Sequence, residues 1–319
     1  MRQPTLLAVP NVSEGRDEDV IARIAEAFAP SGPSQGVQLL DVHADADHHR
    51  SVYTLAGRQG ELAQALVNGA RQATATIDLG DRPSPGQTGK HPHVGAIDVV
   101  PLVYLDPATR GAACAEALTT AELLATTLEL PVFLYGELTG NDPSTTRTRA
   151  DIRRGGLANL AKRMTTTNQE HRLNPDFGPH KPHPTAGATL VSARPPLVAF
   201  NLQLAPPATI EDARRIAAAI REHRSDDSNE RHVVQGVPGL RAIAIELHGA
   251  IPQVSMNVER PLETPLAEIV QAVKALAAVQ SAELVGLAPR RAFDGFPEDL
   301  PIPGFDPARH LIENAIGSI

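Results

Sequence analysis

Apolar positions in this chain recur at two spacings, and the changes between them lay out its secondary structure. Residues 5–11 hold Leu6, Leu7 and Val9 in a short run that closes at Pro10-Asn11, which predicts a strand followed by a turn. Val20, Ile21, Ile24, Ala27 and Phe28 then fall three and four apart, one stripe of a helix over 17–29 that Gly32-Pro33 ends. Strands are predicted at 37–42 and 51–56, either side of the polar segment His43-Ala44-Asp45-Ala46-Asp47-His48-His49-Arg50. A long helix over 61–77 leads through a Gly/Pro-rich loop at 80–95 to the apolar, β-branched strand 96–105. The order to this point is βαββαβ.

A helix over 108–130, a strand at 132–135 and a basic helix over 151–164 come next, and then the pattern begins again. Strands at 188–193 and 197–204, a helix over 210–224, paired strands at 240–247 and 253–258, a helix over 265–278 and a strand at 283–287 repeat βαββαβ from residue 197. This order is ferredoxin-like, two helices on one face of a mainly antiparallel four-stranded sheet. The chain thus predicts an α+β protein of two ferredoxin-like (βαββαβ) subdomains, 1–195 and 196–319. Residues 165–186 lack periodicity and hold Pro175, Pro179, Pro182 and Pro184. A loop this long inside a compact domain is functional or disordered, and the turn chemistry of Asp176-Phe177-Gly178-Pro179 favours function. The charged stretch 225–238 reads as solvated and mobile, and the irregular tail 297–304 leads to a last helix over 307–315.

Composition narrows the function classes. With 42% hydrophobic and 21% charged residues the 319-residue chain is built to fold, and with 3% aromatics and no Trp its cores must come from Ala, Val, Leu and Ile. A net charge of −8 argues against a nucleic-acid partner, which would require clustered cations. Anionic small ligands stay open and would need local positive charge, for which Arg50, Lys90, Lys181 and Arg194 are candidates. Cys114 is the single cysteine, so neither an intrachain disulfide nor a cysteine metal site is available and a reducing compartment fits. The apolar run at the amino terminus is too short for a signal peptide and no 18-residue apolar span occurs, so a cytoplasmic protein with no membrane partner is expected.

Seven of the 12 histidines gather in three loops: His43, His48 and His49; His91 and His93; His180 and His183. His91 stands where a glycine-rich loop feeds a buried strand, with Pro92 disfavouring helix there. An imidazole, of ordinary pKa near 6.5, can take and return a proton at such an edge. Histidines beside Asp45 and Asp47 also suit a divalent metal, but no H-E-x-x-H pair is present and no metal is expected. Gly86-Gln87-Thr88-Gly89-Lys90-His91 resembles part of a phosphate loop but precedes a strand, so no nucleotide site is expected. No G-x-S-x-G elbow occurs, and Cys114 lies within a predicted helix, which favours a structural role.

Segments along nearly the whole chain resemble one family. Val9-Pro10-Asn11-Val12-Ser13-Glu14-Gly15, Leu39-Leu40-Asp41-Val42, Arg50-Ser51-Val52-Tyr53-Thr54, His91-Pro92-His93-Val94-Gly95-Ala96-Ile97-Asp98-Val99, Phe133-Leu134-Tyr135-Gly136-Glu137, Pro175-Asp176-Phe177-Gly178-Pro179, Gly187-Ala188-Thr189, Ala199-Phe200-Asn201 and Leu284-Val285-Gly286-Leu287 are similar to the signature segments of the glutamate formimidoyltransferase family, and they come in family order. That family is the formiminotransferase half of formiminotransferase-cyclodeaminase.

The resemblance implies two ferredoxin-like subdomains packed around a central ligand cleft that holds folate. It implies a homodimer that transfers the formimino group of N-formimino-L-glutamate to N5 of tetrahydrofolate, a co-substrate, in histidine degradation. The family's catalytic histidine falls on His91. Its folate loop falls on Gly178, Pro179, His180, Lys181, Pro182, His183, Pro184, Thr185, Ala186 and Gly187. Three departures stand out: His43 where the family has Asp, His49 before Arg50 where the family has Asn, and Pro184-Thr185-Ala186-Gly187 where the family has Pro-Ser-Trp-Gly. The mechanism this implies is addition–elimination with His91 as acid and base, His43 as second polar group, and Arg50 and Lys90 on the donor's carboxylates. Two other readings stay open on the residues alone: a metal-dependent amidine or formamide hydrolase, and a non-catalytic folate-binding paralogue.

Overall fold

Proline cannot donate to a β-ladder, and at Pro10 the first predicted strand divides into β1 (Thr5–Ala8) and β2 (Asn11–Val12). The computed structural model describes residues 3–29, 36–80, 93–140, 146–168, 172–222 and 236–317, and the chain falls into two units, Met1–Pro195 and Pro196–Ile319. It is a mixed α and β protein with two sheets.

The first unit continues with α1 (Glu18–Phe28), whose predicted first residue, Asp17, is its cap and accepts the Val20 N–H at 2.9 Å. Next come β3 (Gln38–Asp45), β4 (Arg50–Arg58), α2 (Leu62–Thr76), β5 (Ile97–Tyr104), α3 (Arg110–Leu128) and β6 (Val132–Leu134). The basic helix predicted over 151–164 is two, α4 (Arg149–Arg153) and α5 (Gly156–Thr165). Gly155 and Gly156, at φ 78° and 70°, take a left-handed path that no helix follows. β7 (Thr189–Arg194) completes the unit.

Across the sheet the order is β3, β4, then β1 and β2 end to end, β5, β7, β6; pairing is antiparallel as far as β5 and parallel from β5 through β7 to β6. Side chains alternate across it. Tyr53 and Leu55 of β4 enter the large core with Ile24 and Phe28 of α1, Leu66 of α2 and Leu124 of α3. Val99, Leu190 and Phe133 belong to a second, smaller cluster under Ile152 of α4 and Leu160 and Met164 of α5. One edge of the sheet is therefore covered twice, and α4 is brought to the strand that carries Asp98.

The second unit holds β8 (Val198–Leu204), α6 (Ile210–Ile220), β9 (Leu240–Glu246), β10 (Pro252–Val258), α7 (Leu266–Lys274) and β11 (Val279–Val285), followed by the short helices α8 (Pro307–His310) and α9 (Ile312–Ile316). Its sheet runs β11, β8, β10, β9, all antiparallel, over its own core of Phe200, Leu202, Ile216, Val254 and Ile269. β11 starts four residues before its predicted position and stops before Gly286, whose φ of 75° breaks the extended path. Most of the stretch 225–238 lies outside the described residues. Among the described residues no helix is long and apolar enough to cross a membrane.

The start of α2 has no side-chain cap of its own. Glu116, buried on α3, supplies one: its carboxylate accepts the Gly60 N–H at 2.6 Å and the Ala63 N–H at 2.8 Å. Replacing Glu116 with Ala should leave both amides unsatisfied and destabilise the protein by about 1–3 kcal/mol. Thermal or urea denaturation checks this, and Glu116→Gln, which keeps one acceptor, should cost less.

Candidate active site

The polar segment between the second and third predicted strands is a hairpin turn, because β3 runs on to Asp45 and β4 begins at Arg50, its direct partner. Asp45 closes that turn. Its Oδ1 accepts the N–H groups of Asp47 and His48 at 2.8 and 2.9 Å, and its Oδ2 bonds Nδ1 of the buried His48 ring. His49 follows at φ 50°, a left-handed conformation that few non-glycine residues adopt. Its Nδ1 accepts the Gly15 N–H at 3.2 Å and lies 3.3 Å from Glu14 Oε1. That same carboxylate oxygen accepts the N–H groups of Gly15, Arg16 and Asp17 at 3.0, 2.9 and 3.2 Å. Only glycine fits at position 15, since a Cβ there would stand 2.2 Å from the Asp45 carbonyl oxygen and 2.4 Å from the Arg50 nitrogen.

Asn11, Ser13, His48, His49, Arg50, His93 and Asp98 line a recess at this junction. Ser13 is fixed by donating to the Gly95 carbonyl at 2.7 Å. Asp98, buried near the start of β5, accepts the Val94 N–H at 2.8 Å through Oδ1 and ion-pairs Arg153 of α4 through Oδ2. The Arg50 guanidinium has no hydrogen-bond or ion-pair partner among the described residues. Burial lowers its pKa, Asp45 and Asp98 oppose the shift, and the like charges of Arg153 and Arg149 add to it. It remains a cation, since guanidinium does not deprotonate in proteins.

The predicted site residues separate into groups. Arg50 lines the recess. His43 sits on β3 opposite Val52, on the same side of the sheet as Asp45 and Arg50, but is not part of the lining. His91 and Lys90 lie outside the described residues; His93, two positions on, lines the recess.

Of the loop from Gly178 to Gly187, the last five residues are stitched down. Gly187 and His183 exchange backbone hydrogen bonds of 3.0 and 2.8 Å, His183 Nδ1 accepts the Ala186 N–H at 3.1 Å, and the Ala186 carbonyl accepts from Ala96 at 2.9 Å. Gly187 also bridges to Gly95, so this end of the loop adjoins His93. Gly178, at φ 82°, packs against the Leu130 carbonyl, which a Cβ would meet at 2.4 Å. Pro179 and Pro182 are half-buried, and His180, Lys181 and Pro184 are exposed.

Sequence reasoning did not assign Asn11, Ser13, His48, Asp98 or Arg153 to the site. An acid inside the apolar run Ile97-Asp98-Val99 does signal a buried carboxylate; Arg153, far along the chain, carries no matching signal. Among the described residues no three His, Cys, Asp or Glu side chains converge as a metal site would require.

Against known proteins, the family model described as formiminotransferase domain, N-terminal subdomain, matches residues 5–194. The glutamate formimidoyltransferase of Streptococcus pyogenes serotype M1 is 33% identical over 316 residues, 96% of this chain and 96% of that one. The glutamate formimidoyltransferase of Thermoplasma acidophilum is 31% identical over 307 residues, 93% of each. The formimidoyltransferase-cyclodeaminase of Gallus gallus is 33% identical over 291 residues, which are 89% of this chain and 50% of that protein, so this chain spans about half its length.

Two expectations follow from the turn. Burial alone would raise the Asp45 pKa, but hydrogen bonds from His48 and the charges of His48 and Arg50 outweigh it and hold the carboxyl at about 2, against an ordinary 3.8. The folded group binds its proton less tightly than the unfolded one, so its stabilisation is complete above about pH 3.8 and is lost as pH falls toward 2. Denaturation midpoints should drop more steeply across that window for the wild type than for Asp45→Asn. At position 49, His49→Asn should be tolerated, because Asn accepts the left-handed conformation and can receive the Gly15 N–H. His49→Val should cost about 1–3 kcal/mol, read from the same denaturation curves.

Proposed function

The chain belongs to the formiminotransferase family, and from that membership we propose that it transfers the formimino group of N-formimino-L-glutamate to N5 of tetrahydrofolate. The observation that carries this reading is the end-to-end match with the Streptococcus pyogenes glutamate formimidoyltransferase, which spans 96% of both chains. Each unit is read as one ferredoxin-like formiminotransferase subdomain. In support, β11-β8-β10-β9 is the order expected of βαββαβ, and β5, β1–β2, β4 and β3 repeat it in the first unit before β7 and β6 extend the sheet.

The chemistry proposed is addition–elimination. N5 of tetrahydrofolate attacks the amidine carbon, His91 accepts the N5 proton, and the tetrahedral adduct collapses as His91 returns that proton to the departing nitrogen of glutamate. Holding the two substrates together makes the attack effectively unimolecular, which alone removes several kcal/mol of the barrier. His43 is the second polar group of this scheme. Arg50 and Lys90 meet the donor's carboxylates, a role that the half-buried guanidinium of Arg50 supports, since a planar fork matches a carboxylate in two hydrogen bonds. Residues Gly178 to Gly187 form the folate loop, and its anchoring beside His93 supports that role. A cytoplasmic homodimer completes the proposal.

The test is turnover of formimino-glutamate with and without tetrahydrofolate. Release of glutamate that requires tetrahydrofolate upholds the transfer, whereas release without it points to hydrolysis. His91→Ala should lower turnover by about 100-fold or more at unchanged thermal stability, the loss expected of a general base. A near-normal rate would remove His91 from the mechanism.

A further inference from the structure

Every carboxylate around the recess has a partner. Asp45 is held by His48 and the turn amides, Glu14 by three backbone amides, and Asp98 by Arg153. The guanidiniums differ. Arg153 is bound by Asp98, yet its Nε–H is buried with no acceptor among the described residues. Arg149 lies four residues earlier on α4, hence on the same helical face, and is half-buried. Its guanidinium rests 5.9 Å from the centroid of the Tyr135 ring and has no ion pair or hydrogen bond among the described residues. The Tyr135 hydroxyl is itself buried and unpartnered.

Burying a hydroxyl and a guanidinium N–H without acceptors is costly, and an arginine stacked on a ring keeps all five of its donors to offer. The Asp98–Arg153 pair fastens α4 to the recess that Arg50 lines. Arg50 lines that recess and Arg149 lies one helical turn from Arg153; neither guanidinium has an acceptor among the described residues, and the donor proposed for this site carries two carboxylates.

We propose that Arg149 and the hydroxyl of Tyr135, on whose ring the guanidinium rests, form a second carboxylate subsite, so that Arg50 and Arg149 each hold one carboxylate of the donor. Arg149 is then a specificity-determining residue that selects a dicarboxylate amidine over a monocarboxylate one. Arg153 is a positioning residue that holds α4 through Asp98. The like-charge influence of Arg149 and Arg153 on Arg50 agrees with one shared field, which a dianion would relieve. This inference rests on the transferase reading and names what that site selects.

The experiment measures KM and kcat of the full-length enzyme for formimino-glutamate and for two truncated donors, N-formimino-4-aminobutyrate and N-formimino-2-aminobutyrate, each lacking one carboxylate. Arg149→Gln should raise KM for formimino-glutamate by about 10- to 100-fold, the loss of one charge-assisted pair, with kcat and the KM for tetrahydrofolate little changed. In that variant the penalty for deleting one of the two carboxylates should largely vanish. Tyr135→Phe, which removes a single oxygen, should raise KM in the same direction by about three- to tenfold. An unchanged KM for formimino-glutamate in Arg149→Gln, or a rise in the KM for tetrahydrofolate alone, overturns the subsite. To separate this from failure of the transferase reading, glutarate binding is measured by calorimetry. Binding to the wild type that is lost in Arg149→Gln supports the subsite whether or not transfer is seen, and equal binding or none in both proteins overturns it.

Discussion

The candidate site depends on one close approach, that of the Gly15 backbone to the β3–β4 turn. There is no room for a side chain between them, since a Cβ on Gly15 would fall 2.2 Å from the Asp45 carbonyl oxygen. That contact lets the Gly15 N–H reach His49 Nδ1 and puts the Glu14 carboxylate beside the same ring. The turn is braced from its other side by Asp45, which gathers the His48 ring and two backbone amides. Arg50 emerges from a segment fixed at both ends and starts β4 in a set direction, so its charge is aimed by the packing of the turn that precedes it.

Much of the fold was legible because each element is punctuated locally. Helix α1 is announced by its stripe of Val20, Ile21, Ile24 and Phe28 and by Asp17 as cap, and β5 by eight buried residues in a row. The misreadings have local causes as well. Pro10 removes one ladder donor and divides a strand, and two successive left-handed glycines divide the basic helix. The polar stretch after residue 42 read as a connection because polar side chains dominate it. In the structure β3 runs on through His43, Ala44 and Asp45 before the turn at 46–49, since His43 and Asp45 point to the face of β3 opposite the large core.

The site was legible only in part. Arg50, named in sequence as a candidate cation, lines the recess, while the ties that hold the turn and α4 cross long stretches of chain. Asp98 and Arg153 are 55 positions apart, and Gly15 and His49 are 34 apart; neither pairing leaves a periodic trace. His49 is the instructive case. In sequence it stands only as a departure from the family's Asn. The structure gives the pair something in common, because both residue types tolerate the left-handed backbone that the turn imposes.

The interleaving of β6 and β7 bears on the order in which the first unit can assemble. β7 is the later strand in the chain but the inner one in space, and among the described strands β6 pairs with nothing else. As the chain leaves the ribosome, the antiparallel strands from β3 across to β5 can pair once residue 104 has emerged. β6 must wait some 55 residues for β7 to be threaded in beside β5 before it can dock. The small cluster formed by Phe133, Leu160, Met164 and Leu190 therefore cannot close before β7 is in place.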